Sequence, residues 1–552
     1  MRRLTGPVLV AGLSVTALLA AGCGGGSTPA PSSSGTGAGA AGGSITVFGC
    51  NPEHALIPAD TNENCGGRVM ETTVARLIHY NTDTAKPEMD IAESIETKDN
   101  QNFTIKIKKG YKFSDGTEVK AKNFVDAWNY TVANSLQNEY FMAVIEGYKD
   151  VAPGPDPDGE GPKTAPPGKS KTMSGLKVVD DTTFTVKTTE KVSNLPVRLG
   201  YYVFAPLPDV FFTDPKAFGE KPIGAGPYKV DSWTKNAEIK VSKNPNYSGK
   251  FAGQVDAITY KIFTDSNAAY NEVMANNLDV TDEIPTSALI NDKYKQDLPD
   301  RNGQDDSGGI QTLTFPPVKT DPSYANPKLR QAISMAIDRK TITEKIFNKA
   351  RVPADGWVAP GIDGAKPGAC GEYCVYDPAK AKAKFTEAGG YNGKLTLSYN
   401  GDASHKDWTE AACNSIKNAL GVECVATPVT DFATFRAQIN AQKMKGMFRS
   451  GWIMDYPSIE NFLTPLYATG GSSNDSKWSN PAFDAKLVQA AAAPTLDQAN
   501  TLYQEAEVML KDGMPAIPLW YYKINYGWST KVTNVKATPF NEIDYASVQI
   551  KK

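Results

Sequence analysis

The stretch GMFRSGWIMDYPSIENF, residues 446–462, closes a run in which strand and helix patterns alternate. KLTLSYN (394–400) alternates apolar and polar residues, a helical pattern fills 405–420, and VECVATPV (422–429) alternates again. FATFRAQINAQ (432–442) has helical spacing, and GMFRSGWI (446–453) supplies the last strand. Strand, helix, strand, helix, strand at these lengths predicts an α/β lobe. The same stretch embeds Arg449 and Asp455 in a largely apolar sequence. Burying an unpartnered charge costs several kcal/mol, so each needs a reason to be there.

Upstream, NPKLRQAISMAIDR (326–339) places Pro327 at a first helical position with Leu329, Ala332, Ile333, Ala336 and Ile337 on one face. YDPAKAKAKFTEAGG (376–390) repeats that logic, with Asp377 as cap, Pro378 inside and Gly389 past the end. Nearer the start, GSITVFG (43–49) reads as a strand, RVMETTVARLI (68–78) as a helix, and NFTIKIKKGYKFSDGTEV (102–119) as a strand running to a turn at Asp115-Gly116. KNFVDAWNYTV (122–132) gathers Phe124, Val125, Trp128 and Val132 on one helical face. The Pro/Gly-rich 151–171 is expected to be a surface loop, and LKVVDDTTFTVKTT (176–189) a hairpin.

The first residues have a different character. Arg2 and Arg3 precede an apolar run too short to span a bilayer, and Ala20, Ala21 and Gly22 lead into Cys23. This resembles the lipobox of bacterial lipoproteins, with Leu19 one place earlier than usual. The resemblance implies cleavage before Cys23 and acylation of that residue, an anchor of two or more chains. Without it, the segment reads as an ordinary secretory signal. Residues 23–43, rich in Gly, Ser, Pro and Ala, have nothing to build a core and predict a flexible tether. They contain a formal GxGxxG at Gly37, Gly39 and Gly42, but no strand precedes it and no helix follows, so a dinucleotide site is not expected.

What remains is too long for one simple core and predicts at least two lobes. Fifty-eight basic against 61 acidic residues leave a net charge of -3, which gives no support to nucleic-acid binding. Of seven cysteines, six fall into sequence-close pairs: Cys50 with Cys65, Cys370 with Cys374, Cys413 with Cys424. In an exported chain they are expected to be disulfides between neighbours. Zinc is the competing reading, yet only three histidines and no CxxC are present. No Gly-x-Ser-x-Gly elbow, HExxH or P-loop occurs, so neither an enzyme nor a cofactor is expected. A calcium loop starting at Asp60 has Glu71 at position twelve but Cys65 where the loop needs glycine.

KIKKGYKFSDGTEVKAKNFVDAW (106–128), GAGPYKVDSW (224–233), NPNYSG (244–249), NPKLRQAISMAIDR, YDPAKAKAKFTEAGG and GWIMDYPSIENFL (451–463) occur in this order. Together they resemble the solute-binding proteins of peptide ABC importers, family 5, over the whole chain after the tether. The resemblance implies a two-lobed periplasmic-binding-protein-like clamshell (class II), α/β, with an extra subdomain on the N-terminal lobe. The division expected is 1–22 signal peptide, 23–43 tether, 44–84 lobe I, 85–199 subdomain II, 200–309 lobe I again, 310–523 lobe III and 524–552 lobe I, with crossings near 309–312 and 520–525. It further implies a monomeric receptor, lipid-anchored on the outer face of the cytoplasmic membrane, that hands peptides to a permease with cytoplasmic ATPases. Relatives that carry nickel, oligosaccharides or haem keep the solute open. An extracytoplasmic hydrolase is the more distant alternative.

The two charges then acquire a purpose. If the strand continued, positions 449, 451, 453 and 455 would share a face, with Arg449 and Asp455 about 20 Å apart at ~3.3 Å per residue. Gly451, between them, would let a ligand backbone approach and hydrogen-bond to the strand. A cation at one end and an anion at the other suit a short zwitterionic peptide. By resemblance, Asp455 takes the α-amino group, Arg449 and His405 meet the carboxylate of longer peptides, and Trp452, Tyr456 and Tyr140 line the cleft. The plainer alternatives are a turn cap for Asp455, a structural ion pair for Arg449, a surface histidine at a helix start, and core aromatics.

Overall fold

Each segment of the 394–453 run becomes the element its period dictates. In the computed structural model, which describes residues 39–40, 42–154, 165–401, 404–430 and 432–552, strand Leu395–Asn400 pairs in parallel with both Cys424–Val429 and Met447–Ile453. Helices Lys406–Leu420 and Phe432–Asn440 make the crossovers. The first is amphipathic, burying Trp408, Ala412, Cys413, Ile416 and Leu420, and Gly421 stops it at φ 66°. Pro327 and Pro378 each open a helix, capped by Asn326 and Asp377.

These strands belong to one long mixed sheet. Its order is Cys424–Val429, Leu395–Asn400, Met447–Ile453, Asn302–Thr314, Ala516–Trp528, Val280–Thr281, Ser44–Gly49, Ala257–Ile262, Glu238–Lys243 and Tyr228–Thr234. Two strands, Asn302–Thr314 and Ala516–Trp528, run side by side through its middle. Their register slips between Asp306 and Ile310, so that residues 307–309 face Tyr522 alone.

On one side of that slip a core forms around Trp357, Trp408 and Trp520. On the other, Val47, Tyr228, Val241, Ile258 and Tyr260 build a second. A third lies under a separate four-stranded antiparallel sheet of Ala92–Thr97, Asn102–Ile107, Thr183–Lys187 and Leu176–Asp180, covered by helix Ala121–Ala133. Phe103, Ile105, Ile107, Phe124, Trp128 and Phe184 fill it, from the alternation and the helical face read above. The chain is thus a two-lobed α/β protein with a subdomain of its own core. In GAGPY the glycines allow close packing, because a Cβ at Gly224 would sit 2.0 Å from the Thr73 carbonyl oxygen.

The cysteines pair as neighbours, Cys50–Cys65, Cys370–Cys374 and Cys413–Cys424, with Cα separations of 5.1, 5.7 and 4.9 Å. Cys23 lies outside the described residues.

Three local expectations need correction. The helix read at 68–78 runs over Asn64–Thr73, because the Glu63 carboxylate accepts from Cys65 and Gly66 N–H at 2.6 and 2.9 Å and starts it earlier. The tether is not free to residue 43: Gly39–Ala40 pairs with Lys551 and Ile550, which needs only backbone groups. The strand at 446–453 does not continue to Asp455. It ends at Ile453, where Pro457 lies ahead and the Met454 N–H turns to the Gly308 carbonyl at 3.0 Å.

Candidate functional site

Strand Met447–Ile453 has one edge fully paired, from Gly309↔Ile453 to Thr314↔Phe448. Its other edge pairs only at Met447 and Phe448. Residues 449–453 therefore have no strand neighbour on that side among the described residues, and they line a cavity of about 990 Å³ between the lobes. An uncovered strand edge presents a row of backbone donors and acceptors, the template for an added strand.

Asp455 stands at one end of that edge. Asn461 holds it twice: the amide NH₂ donates to the carboxylate at 2.9 Å, and the amide oxygen accepts from the Asp455 N–H at 2.9 Å. The same oxygen accepts from Trp452 Nε1 at 3.0 Å, which fixes the indole at the cavity wall. The Asp455 side chain opens onto the cavity but is otherwise enclosed by protein. Burial pushes its carboxyl up to about 7, helped by the Glu460 charge and opposed by Asn461 and the Tyr201 hydroxyl. Its charge is thus costly without a partner, and a cation arriving in the cavity favours the ionised form.

Arg449 stands at the other end. Its Nε donates to Asn400 Oδ1 at 2.7 Å, and its guanidinium lies 5.2 and 5.5 Å from the Phe432 and Phe435 ring centroids. Gly451 lies between the two ends in the cavity wall, but a Cβ there would meet the Tyr522 hydroxyl at 2.8 Å and the Ile310 carbonyl at 2.9 Å. The glycine thus makes room for Tyr522. Tyr140, on the short helix Glu139–Met142, also faces the cavity, within the electrostatic reach of Asp455.

Two residues lie elsewhere. Tyr456 is buried outside the cavity lining, and its hydroxyl donates to Glu460 at 2.5 Å. It packs edge-on to Phe141 in the subdomain core, so burial of the ring decides its position. His405 is also outside the lining, and its Nδ1 accepts from Trp408 Nε1 at 3.1 Å, at the start of its helix. The calcium reading fails on Glu71, whose two oxygens take the Arg76 guanidinium at 2.7 and 2.8 Å.

The sequence reading missed several residues that shape the site. Asn461 comes six positions after Asp455, and nothing in its type announces the clamp. Tyr201, Tyr202 and Glu542 reach the cavity from other segments. Arg198 binds the buried Glu460 at 3.2 Å, joining the subdomain side to the helix that follows Asp455.

Residues 86–474 match the family described as bacterial extracellular solute-binding proteins, family 5, middle region. The chain is 25% identical over 489 residues to the oligopeptide-binding protein OppA of Bacillus subtilis, covering 85% of each chain. It is 27% identical over 448 residues to the periplasmic oligopeptide-binding protein OppA of Escherichia coli, covering 79% of each. Among solved structures, the murein tripeptide binding protein MppA of Escherichia coli superposes with a TM-score of 0.77 at 22% identity, covering 94% of this chain and 100% of that one. The chain belongs to the family 5 extracellular solute-binding proteins, which bind solutes and are not enzymes.

Proposed function

We propose that this family 5 solute-binding protein captures short peptides by their termini and backbone and delivers them to a peptide ABC importer. The observation that carries this reading is the uncovered strand edge at 449–453, set between an anion and a cation inside the cavity between the lobes. A peptide laid along it gains main-chain hydrogen bonds whatever its sequence. Its α-ammonium meets Asp455, and its carboxylate, in longer peptides, points toward Arg449. An oligosaccharide site would rest on aromatic stacking and neutral hydrogen-bonding groups, and the charged ends favour the peptide. Relatives named as oligopeptide-binding proteins support the same choice. In this reading segments 44–84, 200–309 and 524–552 form the N-terminal lobe, 85–199 its subdomain and 310–523 the other lobe, with crossings near 309–312 and 520–525; the register slip between Asp306 and Ile310, close to both, supports it.

Calorimetry with tripeptides to pentapeptides, free and N-acetylated, tests the reading. The free peptides should bind and the acetylated ones should lose most of their affinity. Equal binding of both forms would rule out recognition through the amino terminus.

Acylation of Cys23 supplies the membrane anchor in this reading, and Cys23→Ala should move the protein from the membrane fraction to the soluble fraction. Retention of the variant on the membrane would count against the anchor.

A further inference from the structure

The cavity wall on the N-terminal lobe is rich in carboxylates, and nearly all of them are engaged. Glu63 caps a helix, Glu71 holds Arg76, and Asp90 accepts from the Tyr111 hydroxyl at 2.8 Å. Asp544 accepts from the Ser547 N–H at 3.2 Å. Glu542, on the short strand Glu542–Ile543, differs: among the described residues no group donates a hydrogen bond to its carboxylate or forms an ion pair with it.

Its surroundings deepen the contrast. The charges that act on Glu542 are Glu71 and Asp282 against Arg68 and Arg76. Both arginines are committed, Arg68 to Asp282 at 2.5 Å and Arg76 to Glu71 at 2.7 Å. Two carboxylates already balance the two guanidiniums, so the Glu542 charge is in excess. Burial beside Glu71 accordingly pushes its carboxyl well above the usual range.

Position says which part of a ligand reaches it. A Cβ on Gly67 would lie 3.4 Å from the Glu542 carboxylate and 3.6 Å from the Tyr202 hydroxyl, so these two groups are neighbours. The Tyr201 hydroxyl donates to Tyr202 at 3.1 Å and also adjoins Asp455. Glu542 and Asp455 thus flank one pair of tyrosines.

We propose that Glu542 is a specificity-determining subsite for a basic side chain, so that the preferred peptides carry lysine or arginine at their first or second position. This rests on the peptide reading above. With the α-ammonium on Asp455, a side-chain cation near the amino terminus reaches Glu542 and neutralises the excess charge.

The test is calorimetry with Lys-Ala-Ala and Ala-Lys-Ala against their norleucine counterparts, on the wild type and on Glu542→Gln. One lysine peptide should bind the wild type about tenfold tighter than its norleucine form, a modest effect for a partly desolvated ion pair. In Glu542→Gln that advantage should shrink below about twofold, while the norleucine peptide keeps its affinity. Equal binding of lysine and norleucine forms by the wild type overturns the subsite and leaves peptide capture standing, as does an undiminished lysine advantage in the variant. Binding of no peptide at all overturns both. Should Glu542→Gln not fold, Glu542→Asp reads the same quantity, since withdrawing the charge by one methylene must lower the lysine preference.

Discussion

Asp455 and Arg449 sit at the two ends of one short strand edge, yet the protein treats them differently. Arg449 keeps its charge among protein partners: an amide oxygen takes its Nε, and two phenyl rings lie near its guanidinium. Asp455 has only neutral donors, Asn461 and the Tyr201 hydroxyl, with the like charge of Glu460 nearby, and burial pushes its carboxyl up to about 7. The lesson is one of dependence. The cationic end is already stabilised by the protein, whereas the anionic end gains most from a cation brought by the ligand.

The largest effect should therefore come from Asp455. Asp455→Ala removes the partner of the buried α-ammonium, and truncating such a pair costs roughly 2–5 kcal/mol, about 30-fold to several-thousand-fold in affinity. N-acetylation of the peptide should weaken the wild type similarly and the variant far less, because both changes remove one contact. A double-mutant style cycle by calorimetry reads this directly, and additive losses would break the assignment.

Acidity sharpens the same contrast. Only ionised Asp455 pairs with an ammonium, so binding expels its proton. Below pH 7, affinity should fall by up to about tenfold per pH unit. Above about pH 8 it should fall again, as the peptide's own amine deprotonates. Asp455→Ala should flatten the acidic limb alone, and titrations between pH 5 and 9 would show whether it does.

Arg449→Ala should have the smallest effect and should depend on length. Tripeptides should be nearly indifferent, and peptides of four or five residues should lose about three- to tenfold, a loss suited to a partly solvated contact. Equal losses at all lengths would mean that Arg449 supports the wall and does not read the carboxylate.

The α/β run from 394 to 453 was legible in the sequence because period two and period 3.6 are set by the residues themselves. Asp455 was legible as a charge with no local use. Tyr456 admitted two readings, because an aromatic beside a proline looks the same whether its ring enters a cleft or a core, and the ring it packs against, Phe141, lies more than 300 positions earlier. His405 admitted two readings as well: its Nδ1 accepts from Trp408 at the start of the helix, outside the cavity lining. Glu542 carried no signal at all. A lone glutamate near the C-terminus acquires meaning only when the topology sets it beside Gly67 and Tyr202.

Strand Ala516–Trp528 lies in the middle of the long sheet, touching Asn302–Thr314, Val280–Thr281 and Arg351–Pro353. One strand therefore carries backbone hydrogen bonds on both sides of the register slip, to Val280–Thr281 beyond it and to Arg351–Pro353 at it, and fraying there would loosen both halves of the sheet together.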